Sequence, residues 1–72
     1  MANLKLDDLT KTDRHITETK AHIARHREVI ERLARGGHPV NLSVELLNAL
    51  ENALDALERR RAIILKQRKL LP

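Results

Sequence analysis

Leu9, Ile16, Ile23 and Ile30 recur every seven residues in the first half of the chain, and Leu47, Leu50, Leu54, Leu57, Ile64 and Leu71 form a matching stripe in the second. A seven-residue repeat keeps one side of an α-helix apolar over many turns, whereas a half-buried strand would alternate. The stripes are separated by Arg35-Gly36-Gly37-His38-Pro39, which holds both glycines of the chain. The pattern predicts an all-α protein: an antiparallel two-helix coiled-coil hairpin.

The expected boundaries are helix 1 over about 6–35, a turn over 36–41 and helix 2 over about 42–70, so that 1–72 is one hairpin domain. Asp7 and Asp8 suit the positive end of helix 1, and Arg32 and Arg35 its negative end. Gly36 is expected to take the left-handed position after helix 1, and Pro39 to keep His38 out of the helix. Asn41 or Ser43 is the expected cap of helix 2, with Glu45 in its first turn. A short connection makes the helices antiparallel neighbours. Folding at the turn sets Ile30 beside Leu47, Ile23 beside Leu54 and Thr12 beside Ile64.

Charge supports this orientation independently. Helix 2 starts with Glu45, Glu51, Asp55 and Glu58 and ends with Arg59, Arg60, Arg61, Lys66, Arg68 and Lys69. Asp7, Asp8, Asp13 and Glu18 of helix 1 then lie opposite the basic end, and Arg25, Arg27, Arg32 and Arg35 opposite the acidic start. Each exposed pair contributes only about 0–1 kcal/mol, but together they disfavour a parallel alignment.

The two helices differ in apolar width. The second row of helix 1 reads Thr12, Thr19, His26, Leu33, whereas Leu42, Leu46, Leu47, Leu50, Ala53, Leu54 and Leu57 widen the apolar side of helix 2. One narrow helix cannot cover that side, and each leucine left in water forgoes about 1.5–3 kcal/mol. The surplus predicts dimerisation into a four-helix bundle, or packing on an unknown protein partner. The expected interface residues are Leu42, Leu46, Leu47, Leu50, Leu54, Leu57 and Ile64 of helix 2, with Ile16, Ile23 and Ile30 of helix 1.

Other function classes receive little support. The chain has no cysteine and no apolar run long enough for a signal peptide or membrane span, so a cytoplasmic protein without membrane attachment is expected. No nucleophile, base and acid combine into a catalytic set, and Gly36-Gly37 is a turn rather than a phosphate loop. No enzyme activity and no cofactor are expected.

Two clusters carry alternative readings. His22 and His26 stand one helical turn apart, and His15 lies a further two turns back, a spacing able to clamp a divalent metal. Helix 2 has no histidine to complete such a set, and the carboxylate-rich pattern of di-metal bundles is missing. His26 is therefore read as a polar residue at the core edge, opposite Leu50. The basic end of helix 2, with a net charge of +4 and a pI near 10.1, invites nucleic acid. The absence of any aromatic residue to stack on bases weighs against it. Arg61 interrupts the apolar stripe between Leu57 and Ile64, and Asp13 or Glu18 is its expected partner.

Asp13-Arg14-His15-Ile16, His22-Ile23-Ala24-Arg25-His26-Arg27-Glu28, Ile30, Leu33, Gly37-His38, Leu46-Leu47, Leu50-Glu51 and Arg61-Ala62-Ile63-Ile64 together resemble a group of short bacterial proteins of unknown function. Their shared pattern is R-H-I … H-I-A-R-x-R … G-H … L-L … L-E. The resemblance covers nearly the whole chain and implies a complete bacterial helical hairpin, with no activity or site attached. The large-subunit ribosomal protein built as a basic hairpin is similar in size and shape, but the acidic stretch from Glu45 to Glu58 stands where that protein is basic. The expected function is a small non-catalytic protein–protein interaction module, an adaptor or regulator that acts as a homodimer or on an unknown partner. A nucleic-acid-associated protein is the alternative, and a histidine metal-binding bundle a weaker one.

Overall fold

The computed structural model describes residues 4–69, with side chains from Asp7 onward, and consists of α1 (Leu4–Arg35) and α2 (Asn41–Lys69) packed against each other as a hairpin. Helix 1 thus starts about two residues before the expected boundary, and helix 2 begins one residue early. The expected end of helix 2 at Leu70, and Leu71 at the end of its stripe, lie outside the described residues. The molecule measures 58 × 14 × 14 Å, one helix pair wide along its whole length. Its radius of gyration is 16.7 Å, against about 11 Å for a globule of this chain length.

The seam between the helices follows the heptads. Leu9, Thr12, Ile16, Thr19, Ile23, His26, Ile30 and Leu33 of α1 are buried or half-buried, as are Val40, Ser43, Leu47, Leu50, Leu54, Leu57 and Ile64 on the second strand of the hairpin. Among the described residues only Thr12, Ile23 and Ile64 are deeply covered, at 3%, 6% and 6% exposure. Thr12 and Ile64, expected to face each other, are therefore both in the core. A two-layer contact cannot enclose a side chain from every direction, so most of the seam stays half-wet.

The turn is built one residue later than expected. Gly37, not Gly36, has the positive φ, at 74°. Gly37 N–H donates to the Ala34 carbonyl at 3.1 Å and His38 N–H to the Leu33 carbonyl at 2.9 Å, which satisfies two carbonyls of the last turn. Gly36 still belongs to the helical ladder, its N–H donating to the Arg32 carbonyl at 3.1 Å. The start of α2 also differs from expectation. The first bond runs from Val44 N–H to the Val40 carbonyl at 2.8 Å, so Val40 occupies the capping position rather than Asn41 or Ser43. Glu45 consequently falls beyond the first turn, which contains no acid.

Candidate interaction surface

The seam has two unlike flanks. On one, Arg27 Nη2 lies 3.3 Å from Glu51 Oε1, and Arg61 Nε donates to Asp13 Oδ1 at 2.6 Å. Lys20 and Glu58 line the same groove between these two pairs. Of the two acids expected to meet Arg61, Asp13 is the one that does. This flank is charged on both helices and closed by ion pairs.

The opposite flank carries His15, His22 and Val29 on α1 and Leu46, Ala53 and Arg60 on α2. Seven-residue spacing places each set in a single row beside the seam. From His22 to Val29 and from Leu46 to Ala53 this row contains no carboxylate and no lysine or arginine. Further round α2, Leu42, Ala49, Ala56 and Ile63 extend it. Leu42 is 81% exposed, Ile63 56% and Leu46 48%, and the three alanines are exposed as well. A shallow groove runs over Ala53, Ala56, Leu57 and Ile63, apolar along its floor and bordered by Asn52, Asp55, Arg59 and Arg60.

Leu42, Leu46, Ala49, Ala53, Ala56 and Ile63 form a second heptad stripe on α2, offset from the seam, with Arg60 at the one position between Ala56 and Ile63. The apolar width of helix 2 places Leu42 and Leu46 at an interface; within the hairpin Leu42 is almost uncovered and Leu46 about half covered. Ala49, Ala56 and Ile63 were not expected there. Alternating steps of four and three counted from Leu42 would have found them, but alanines are weak markers of an apolar face. The remaining expected interface residues, Leu47, Leu50, Leu54, Leu57, Ile64, Ile16, Ile23 and Ile30, lie in the seam itself.

Total exposure points the same way. The chain leaves 5831 Å² open to solvent, whereas a folded monomer of 8.3 kDa exposes about 4,600 Å² by the usual mass scaling. The surplus of roughly 1,200 Å² exceeds the ~800 Å² per partner buried in a standard interface.

The histidines are not gathered. His15 and His22 are exposed. His26 is half-buried, as expected for a residue at the core edge, and its Nε2 lies 2.8 Å from the Ser43 carbonyl oxygen. A carbonyl oxygen only accepts, so the ring carries its proton on Nε2 and donates it. A chelate with His22 would leave only Nδ1 for a metal unless this bond broke. Among the described residues no three histidine or carboxylate side chains are close enough to hold a metal ion.

Part of the basic end of α2 is already answered. Arg59 pairs with Asp55 at 3.0 Å one turn away, and Arg61 with Asp13. Arg60, Lys66, Arg68 and Lys69 remain exposed around the helix rather than on one side of it. No helix among the described residues is long and apolar enough to cross a membrane. No family model, no curated protein and no solved structure matches this chain.

Proposed function

We propose that this hairpin is a non-catalytic protein–protein interaction module that works by helix packing through the exposed apolar stripe of α2, with assembly into a four-helix bundle as its main form. The observation that carries the reading is the second apolar stripe from Leu42 to Ile63, exposed at the positions where the first stripe is covered. Burying the Leu42, Leu46 and Ile63 side chains would contribute about 1.5–3 kcal/mol for each one fully covered, more than the ion-paired flank contributes in total. The likeness to short bacterial helical proteins, and an adaptor or regulator role in the cytoplasm, belong to the same proposal.

Light scattering or sedimentation tests it. The expected result is a mass above that of one chain at micromolar concentration, reduced to one chain in Leu46→Asp with helix content retained. A cooperative, folded monomer at all concentrations overturns the assembly. The basic end of α2 supports nucleic-acid binding less well, because two of its six cations are ion-paired within the chain and the others point in different directions.

A further inference from the structure

The geometry points to a definite occupant for the exposed stripe: we infer that it is covered by α2 of a second copy of this chain, running antiparallel about a twofold axis that passes between Ala53 and Ala56. The inference rests on the reading of the chain as an assembly module and adds the partner helix, its direction and its register.

Direction follows from charge. Between Asn41 and Glu58, α2 carries four acids and no base; between Arg59 and Lys69 it carries six bases and no acid. Two such helices side by side in parallel put acid on acid and base on base over their full length. Glu51, Asp55, Arg59 and Arg61 are ion-paired within the chain. Antiparallel packing sets the half with the remaining acids, Glu45 and Glu58, against the half with the remaining bases, Arg60, Lys66, Arg68 and Lys69, and a twofold axis makes the match occur twice. The charge division of α1 is less sharp, with Lys11 and Arg14 among its early acids and Glu28 and Glu31 among its late bases.

Register follows from the stripe. In antiparallel packing the two heptad positions of one helix face the opposite two of its partner. Setting Ala53 against Ala56 of the second copy brings Leu46 to Ile63 and lays the stem of Arg60 over Ala49. The alanines let the helix axes approach closely at the centre, and the larger Leu46 and Ile63 close the two ends. The row that borders the stripe on its outer side reads Glu45, Asn52, Arg59 and Lys66. In this register Glu45 lies beside Lys66 of the second copy, and Asn52 beside Arg59. Neither Glu45 nor Lys66 makes an ion pair among the described residues of the hairpin. At ~1.5 Å rise per residue the two stand roughly 30 Å apart on their own helix, so a coupling between them can arise only across copies.

Charge reversal tests the pairing. Glu45→Lys and Lys66→Glu should each weaken dimerisation about threefold to tenfold, as expected for two exposed ion pairs turned repulsive at once. The double variant Glu45→Lys/Lys66→Glu should return to the parent affinity. Both positions are solvent-exposed, so the helices should remain intact by circular dichroism. As a second readout, chains carrying Leu46→Cys and Ile63→Cys, mixed and mildly oxidised, should form the mixed disulfide in preference to either homodisulfide. A parent dimer in which the double variant stays weak and the mixed disulfide is not preferred overturns this register while leaving assembly standing. A parent chain monomeric up to about 100 µM overturns both.

Discussion

The imidazole of His26 donates from Nε2 to the main-chain carbonyl of Ser43 at 2.8 Å, and so links α1 directly to the first turn of α2. Carbonyls of a helix point toward its C-terminus, which carries the Ser43 oxygen away from the turn and into reach of a side chain on the facing helix. The link holds a polar residue in a seam position that would otherwise take leucine or isoleucine. It also fixes the ring tautomer. His26→Ala should therefore destabilise the hairpin by about 1–2 kcal/mol, combining a lost hydrogen bond with lost packing. His26→Gln, whose amide also donates, should recover part of that loss. Urea unfolding of the three proteins checks the order.

Arg61 sits at a seam position, yet its side chain remains 44% exposed while it reaches Asp13. An ion pair this open to water is worth about 0.2–1 kcal/mol. A leucine in the same place, even half-covered, gains about 1 kcal/mol or more from burial. Burial should win. Arg61→Leu should raise the unfolding midpoint, whereas Asp13→Ala should lower it only slightly. A fall in stability on Arg61→Leu would mean that the ion pair contributes more than its exposure implies.

The hairpin, its orientation and its seam were legible in the sequence because heptad spacing and charge segregation act over whole helices and tolerate local error. The capping details were not. Gly36 and Gly37 are chemically identical, and only the hydrogen bonds of Ala34 and Leu33 determine which of them turns left-handed. Asn41 and Ser43 look like caps by side-chain type, but Val40 occupies the last seam position before α2 and half-buries its side chain there. The helix starts where that packing begins. The outer stripe of α2 was legible in Leu42, Leu46 and Ala53; Ala49 and Ala56 mark an apolar face too weakly to extend it to Ile63.

The two glycines should respond differently to alanine. At Gly37 the φ of 74° is unfavourable for any residue with a Cβ, although nothing lies within 4 Å of it. Gly37→Ala should cost about 1–2 kcal/mol, and Gly37→Asn less. At Gly36 the added Cβ would meet His38 Cδ2 at 2.9 Å. That ring belongs to an exposed side chain and can swing aside. The lower chain entropy of alanine, worth about 0.4–1 kcal/mol, offsets the adjustment. Gly36→Ala should thus leave stability within about 0.5 kcal/mol of the parent. Thermal melts of the two variants distinguish the turn observed here from one with the left-handed residue at Gly36.

Seam and outer stripe should separate when stability is measured against concentration. Ile23 is 6% exposed and packs within one hairpin, so Ile23→Ala removes core volume whatever the oligomeric state and should cost about 2–4 kcal/mol. For a hairpin this thin, that loss lowers the melting temperature at every concentration. Leu46 is 48% exposed in the single chain, so Leu46→Ala removes little from the hairpin itself. If a second copy covers it, the parent melting temperature rises with protein concentration, because association stabilises the folded form by mass action. Leu46→Ala should flatten that rise while leaving the low-concentration melt close to the parent. Equal losses for both variants at high dilution would place Leu46 in the core of the single hairpin, and a parent melt independent of concentration would remove the second copy.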